Sequence, residues 1–312
     1  MRLLWAAEHV PSYGYGEVRP LRALLSRWQN LVALDVGANK GFWTKALLSN
    51  FPGGVARVHM LDPSPENFRE LTEREDNLLF DPEDFALITA HNVAAGSAKG
   101  SALLYTNEDG SPLASLHPHT LSAQAGAAGA PLERSITVPV VALDDFISEQ
   151  RIEHVDIVKI DVEGHEFAVL EGADKALRDG RIDVLIWEFG MHQVEARRFF
   201  LDFYDLLSGC GYDLYDISNI VARRIEHYDF RFETFAADVM YAARRRAARL
   251  IAPPPDFDEA GYLDVNPDVA AAMRRGEFDS PRQHWLTFGY AEDRRWSGTL
   301  LPLQGEKADL RG

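Results

Sequence analysis

The chain has 312 residues, 48 of them acidic and 32 basic, for a net charge of −16. With 46% hydrophobic and 26% charged residues, the composition is that of a folded globular protein, which excludes a mainly disordered, collagenous or coiled-coil chain. So acidic a protein repels phosphate backbones and anionic lipids, which argues against nucleic-acid and membrane partners. The single cysteine, Cys210, excludes an intrachain disulfide and a zinc cluster built on cysteines. No apolar run approaches the roughly 20 residues that span a bilayer. The opening stretch, residues 1–7, is shorter than the ~7–15 apolar residues of a signal-peptide core. A cytoplasmic protein without an integral membrane segment is expected.

Residues 1–30 read as an N-terminal helical segment, with Leu21, Leu24, Leu25 and Trp28 on one face. Residues 31–35 form a short apolar run before a glycine-containing turn, the pattern of a buried parallel strand. A helix is expected over 42–51, a second strand over 56–61, a helix over 65–75 and a third strand over 85–93. Strands are also expected at 101–105 and 135–141, flanking an Ala/Gly-rich surface loop at 121–131. Alternation then resumes: a helix over 143–150 capped by Asp144 or Asp145, a strand over 155–160, and a helix over 166–179 stopped by Gly180. A strand over 182–187 ends at Glu188, a helix runs over 192–208, and strands follow at 212–217 and 237–242. Strands alternating with helices mean βαβ units, a mainly parallel sheet and helices on both faces. Three prolines, residues 253–255, read as a stiff linker. The expected organisation is therefore the segment 1–30, a catalytic domain over 31–250 and a small helical module over 256–300. Short helices are expected at 262–269 and 282–289.

Acids recur at the carboxyl ends of the strands: Asp35, Asp62, Asp161 and Glu188. In an open parallel sheet that edge is where ligands bind. The stretch Asp35-Val-Gly-Ala-Asn-Lys-Gly41 follows a strand and opens a helix, and Gly37 and Gly41 allow backbone to approach a ligand closely. Its Gly-x-Asn-x-Gly spacing, which includes Asn39, differs from the dinucleotide fingerprint, and the Lys-Ser/Thr of an ATP loop is absent. Asp62, about twenty residues on, suits a bidentate hydrogen bond to ribose hydroxyls. Asn92 follows the third strand, where an adenine edge is expected. Together these residues point to an adenosyl cofactor carrying a carboxylate rather than a pyrophosphate, as S-adenosylmethionine does.

At these motifs the chain resembles the FkbM-type S-adenosylmethionine-dependent methyltransferases. The residues that carry the resemblance are 34–42 (Leu-Asp-Val-Gly-Ala-Asn-Lys-Gly-Phe), Leu61-Asp-Pro63, Asn92-Val-Ala94 and Leu143-Asp-Asp-Phe146. The most specific is Asp156-Ile-Val-Lys-Ile-Asp-Val-Glu-Gly-His-Glu166, continued at Leu170-Glu-Gly-Ala173 and Trp187-Glu188. Lys40 and Asp62 depart from the family pattern, which usually has an apolar or small residue and a Glu there. The resemblance covers residues 30–243. It implies a class I methyltransferase fold, α/β and Rossmann-like, with a mostly parallel seven-stranded sheet whose last strand is antiparallel. It also implies O-methylation of a hydroxyl on a sugar or polyketide-like acceptor. The tail, at residues 256–297, resembles a helical module found on enzymes of bacterial surface-glycan assembly, which implies docking to such enzymes.

A sugar hydroxyl is a poor nucleophile and needs its proton removed. Asp161, His165, Glu188 and His192 are the candidates at the methyl end of the cofactor. Asp161 and Glu188 also allow a second mechanism, in which both hold a Mg²⁺ that lowers the pKa of the acceptor oxygen. The leading expectation is an O-methyltransferase acting on a sugar of a surface polysaccharide or glycolipid. The alternatives are a natural-product O-methyltransferase and a non-catalytic scaffold on the same fold.

Overall fold

The structure is a computed structural model, and it describes residues 30–73, 77, 79–118, 134–216, 223–244, 258–275 and 280–284. The N-terminal helical face at residues 21–28 and the Ala/Gly-rich loop at 121–131 lie outside the described residues. The first half contains strand β1 (Leu31–Val36), helix α1 (Phe42–Asn50), β2 (Val55–Leu61), α2 (Pro65–Thr72), β3 (Ile88–His91), β4 (Ala94–Gly96) and β5 (Gly100–Thr106). There follow β6 (Arg134–Ala142), α3 (Leu143–Glu149), β7 (Val155–Ile160), α4 (Glu166–Glu171), α5 (Asp174–Arg178) and β8 (Ile182–Gly190). The domain closes with α6 (His192–Ala196), α7 (Phe200–Gly209), β9 (Tyr212–Asp216), β10 (Arg223–Ile225) and β11 (Ala236–Arg244).

Eight strands form the main sheet in the order β10-β9-β11-β8-β7-β1-β2-β3, and β4-β6-β5 make a second, small sheet. The five strands β3, β2, β1, β7 and β8 are mutually parallel, while β11 runs antiparallel between β8 and β9. The parallel core and the antiparallel last strand are as expected. The count is eight rather than seven because β10 pairs antiparallel with β9 and widens the edge.

Alternate residues of the central strands feed two cores, as a sheet covered on both faces requires. Leu34 and Val36 of β1 pack with Phe146, Val169 and Phe203 from α3, α4 and α7. Leu31 and Ala33 pack on the other face with Leu47 of α1 and with Phe80 and Phe85.

Several elements differ from the sequence expectation for local reasons. The third strand begins only at Ile88, because residues Asp84–Ala86 form a 3₁₀ turn. The helix expected over 166–179 is two helices, with Gly172 between them. A Cβ on Gly172 would lie 2.1 Å from the Gly96 carbonyl oxygen, so the chain crosses β4 there with no room for a side chain. Asp144 caps α5 rather than its own helix, accepting from the Lys175 and Ala176 amides at 2.9 and 2.8 Å. The helix expected over 192–208 breaks at Arg197, which adopts φ 54°. β8 extends to Gly190, so Glu188 sits within the strand rather than past its end. In the tail, the helix expected over 262–269 is two, α8 (Glu259–Val265) and α9 (Pro267–Arg274), and α10 (Pro281–His284) opens the helix expected over 282–289, of which residues 285–289, like the proline linker 253–255, lie outside the described residues. Asn266 ends α8 and Pro267 opens α9, since proline suits a first helical turn and not a helix interior. Among the described residues no helix is long and apolar enough to cross a membrane.

Candidate active site

Strand register creates the site. Leu61 lies opposite His91, Val36 opposite both Leu61 and Ile160, and Ile160 opposite Trp187. The next residue along each of these strands is therefore Asn92, Asp62, Gly37, Asp161 and Glu188, one row across five parallel strands. Five residues expected to form the site from scattered sequence positions are thus consecutive neighbours at the carboxyl edge.

Gly37 turns the chain out of β1 with φ 79°, and a Cβ there would stand 1.8 Å from the Asp161 carbonyl oxygen. Only glycine lets the loops after β1 and β7 approach this closely. Asn39 follows with φ 47°, and its amide donates to Asp62 Oδ2 at 2.8 Å. Asp62 Oδ1 accepts from the Ser64 amide at 2.9 Å and from Asn67 Nδ2 at 3.1 Å. Burial pushes the Asp62 carboxyl up to about 6, against the pull of these donors. Gly41 is the left-handed cap of α1 and lies against the Phe80 ring. Asn92 Nδ2 donates to the carbonyls of Asp62 and Pro63 at 3.1 and 3.0 Å, fixing the loop that carries Asp62.

These loops floor a cleft lined by Gly37, Asn39, Asp62 and Asn67 and by Asp161, Glu163 and His165. Ser111, Ser115 and Leu116 form its opposite wall. That wall is tied down by reciprocal Tyr105–Ser115 backbone bonds and by Ser115 Oγ donating to the Glu163 carbonyl at 2.7 Å.

Asp35 is fully buried beneath the cleft and does not line it. It accepts from Thr44 Oγ1 at 2.7 Å and stands 3.6 Å from Lys159 Nζ. Burial raises its carboxyl, opposed by Lys159 and Thr44. Lys159 also reaches Asp161 Oδ2 at 3.1 Å, so one buried ammonium holds the two acids.

Beyond Asp161 the site becomes acidic. Glu188 has its carboxyl pushed up to about 8, first by burial and then by Asp161, Glu163 and Glu166. Glu163, at φ 53°, pairs with His192 Nε2 at 2.8 Å, and this carboxylate raises the imidazole to about 9. Glu166 is buried and accepts from the Val162 and Gly164 amides at 3.0 and 3.2 Å and from Gln193 Nε2. Burial lifts its carboxyl to about 7. His165 Nδ1 faces His117 Nε2 at 3.1 Å, and burial, then His117, lowers the His165 imidazole to about 4. Its Nε2 packs on Gly96.

Three participants escaped the sequence reading. Asn67, buried in α2, donates to Asp62 while its own Oδ1 has no hydrogen-bond partner. Its signal was an asparagine in the first turn after a serine cap, five residues past the acid. Ser115 and His117 sit in an irregular loop, and no sequence period reports on that.

A mostly parallel sheet with the antiparallel strand β11 inserted between β8 and β9, and a glycine loop and an acid at the carboxyl edge, defines a class I methyltransferase. The Methyltransferase FkbM domain matches residues 35–214, and the chain belongs to that family. Its members are methyltransferases, and the family implies S-adenosylmethionine as methyl donor.

Among curated proteins the chain is similar to the hexuronic acid methyltransferase AglP of Haloferax volcanii, with 29% identity over 164 residues. That match spans 52% of this chain and 59% of the length of AglP. Among solved structures, it is similar to Methyltransferase FkbM from Methylobacillus flagellatus KT, at 17% identity and TM-score 0.41, covering 69% of this chain and 43% of that one. A precorrin-6y C5,15-methyltransferase from Geobacter metallireducens GS-15 matches at 15% identity and TM-score 0.36, over 73% of this chain and 88% of that one.

Proposed function

We propose that the protein is an S-adenosylmethionine-dependent O-methyltransferase that methylates a hydroxyl of a sugar in a surface polysaccharide or glycolipid. The row Asn92–Asp62–Gly37–Asp161–Glu188 carries this reading, because its middle three residues line one cleft and Asn92 and Glu188 flank them just outside its lining. The likeness to a hexuronic acid methyltransferase supports a sugar acceptor.

The residues present fit the cofactor. Asp62 faces the cleft with Oδ2 holding a single donor, which leaves capacity for ribose hydroxyls. The unpartnered Asn67 oxygen beside it is a second polar group awaiting a donor. Gly37 and Asn39 supply the close backbone, Gly41 shapes the loop they share, and Asn92 holds the Asp62 loop in place. Asp35 acts from beneath through Lys159. When bound, S-adenosylmethionine supplies a methyl group on a positively charged sulfur, already activated for displacement.

Asp161 accepts the acceptor's proton as the hydroxyl oxygen takes the methyl group, and Lys159 keeps Asp161 aimed. Glu188, beside Asp161 in the row but outside the cleft lining, completes the acidic end. His165 is the weaker base, since its two ring nitrogens face His117 and Gly96. A Mg²⁺ at Asp161 and Glu188 would compete with the Lys159 ammonium, which already stands 3.1 Å from Asp161 Oδ2 and supplies the positive charge there. No step is routed through a metal there. The helices α8, α9 and α10 pack on one another through Tyr262, Val269 and His284, and we assign this module to docking with glycan-assembly enzymes.

The test is methyl transfer from radiolabelled S-adenosylmethionine to neutral and uronic-acid glycosides, followed by mild alkali. Label that survives alkali is an ether on a hydroxyl and supports the proposal. Label released by alkali is a carboxyl ester and overturns the hydroxyl assignment. Failure to bind S-adenosylmethionine by calorimetry leaves the scaffold alternative.

A further inference from the structure

The Asp161 end of the cleft gathers acids. Asp161 and Glu163 line it, Glu188 stands beside Asp161 in the row, and the buried Asp35 and Glu166 lie behind. The charged partners of these five are Lys159, committed to Asp35 and Asp161 at 3.6 and 3.1 Å, and His192, committed to Glu163 at 2.8 Å.

The cleft wall supplies no counter-charge. Among the described residues the lining contains no lysine and no arginine. Its histidine, His165, is kept neutral by burial and then by His117, which lower it to about 4. The opposite wall belongs to the stretch between β5 and β6, residues 107–133. That stretch has no lysine or arginine in its sequence and three acids, Glu108, Asp109 and Glu133. Glu188 registers the resulting field, since its carboxyl is pushed up to about 8 first by burial and then by Asp161, Glu163 and Glu166. A carboxylate brought in by an acceptor meets the same burial and the same neighbours, and the described lining offers it no ammonium or guanidinium.

We propose, resting on the sugar-methyltransferase reading above, that this acidic end makes the enzyme select uncharged or amino-bearing sugars and reject uronates, with Glu163 as the specificity-determining residue. Glu163 lines the cleft two residues past Asp161, whereas Glu166 and Glu188 do not line it. Its side chain is 16% exposed, so its charge acts where water is largely excluded. The His192 imidazole offsets part of that charge from outside the lining. Specificity of this kind works by penalising the wrong partner. Repulsion weakens a uronate, while a hydroxymethyl or amino group in its place meets hydrogen-bond acceptors. The hexuronic acid in the name of the similar AglP is therefore not carried over to this chain.

The experiment measures transfer of alkali-stable label from S-adenosylmethionine to a panel of neutral and uronate-bearing oligosaccharides, with each uronate also supplied as its carboxamide. The carboxamide keeps the shape of the carboxylate and removes its charge. Expected is a kcat/KM at least about 100-fold lower for the carboxylate than for the carboxamide, with the carboxamide and the neutral sugar within about tenfold of each other. Glu163→Gln should narrow the carboxylate penalty at least about tenfold. Because the readout is a ratio within one protein, a general loss of turnover cancels. Equal transfer to carboxylate and carboxamide overturns the selection by charge and leaves the methyltransferase reading intact. A carboxamide as poor as the carboxylate assigns the discrimination to shape and overturns it equally. An unchanged ratio in Glu163→Gln removes Glu163 as the residue responsible. No transfer to any member of the panel, with S-adenosylmethionine bound, overturns the sugar-acceptor reading itself.

Discussion

The two halves of the cleft are built from the same row of strand ends, yet they hold their acids by different means. On the β1–β2 side, Asp62 is gripped by the amides of Asn39 and Ser64 and by the Asn67 side chain. On the β7–β8 side, Asp161 is held by the Lys159 ammonium, and Glu163 by the His192 imidazole. Backbone donors set geometry and do not titrate. Charged side-chain partners shift proton affinities and respond to pH. This difference is what the proposed division of labour rests on, with the first half holding the cofactor and the second moving the proton.

Substitutions that strike one half should separate binding from turnover. The largest effect is expected from Gly37→Ala, which meets both halves at once. Its methyl would overlap the Asp161 carbonyl on a backbone with φ 79°. Loss of cofactor binding by at least about 100-fold and a lower melting temperature are expected. Wild-type affinity by calorimetry would mean that the two loops separate freely. Next, Asp161→Asn should cut turnover at least about 100-fold, the usual scale for a lost base, with cofactor affinity nearly intact. A matching loss of affinity would erase the division between halves.

Asp62→Ala should do the converse, weakening S-adenosylmethionine by roughly 10–100-fold, as charge-assisted hydrogen bonds of about 1.5–3 kcal/mol imply. Titration with the cofactor checks this, and unchanged affinity removes Asp62 as the ribose ligand.

A smaller, pH-dependent effect should come from the β7–β8 side. Glu188 and His192 both have folded values above their unfolded ones, at about 8 and 9. The folded state therefore holds more protons than the unfolded state over that range, so stability falls as pH rises. His59 and His165 are lowered to about 4, so their effect is confined to pH below the ordinary imidazole value of 6.5. Between pH 6.5 and 9 the melting temperature of the cofactor-free protein should drop, and His192→Gln should flatten that slope. A pH-independent melt in the wild type would show that the pair with Glu163 is not formed. The smallest effect concerns the tail. Deleting all residues after Pro253 should leave cofactor affinity unchanged while lowering activity on a long glycan. Full activity on the polymer would assign the tail to another partner.

The sequence alone determined the alternation of strands and helices, and with it the parallel core. Apolar runs such as Val155–Ile160 and turns such as Asp35-Val-Gly-Ala-Asn-Lys-Gly41 are local signals, set by burial and by backbone sterics. Asp62 and Asp161, each one residue past a strand, were legible for the same reason, whereas Glu188 lies within β8. The splitting of residues 166–179 was not, because the close packing of Gly172 on the Gly96 carbonyl, where the two helices meet, joins residues distant in sequence. Nor was the sealing of Asp35 under Thr44 and Lys159, which separates it from the cleft residues that share its motif. Strand register is a property of pairs of strands, and it alone lined up Asn92, Asp62, Gly37, Asp161 and Glu188. Register likewise set Asp156 beside Asp183. Proton affinity is decided last, since the same carboxyl group in Asp62 and Glu188 reaches about 6 and about 8 according to burial and to the charges that tertiary packing brings near.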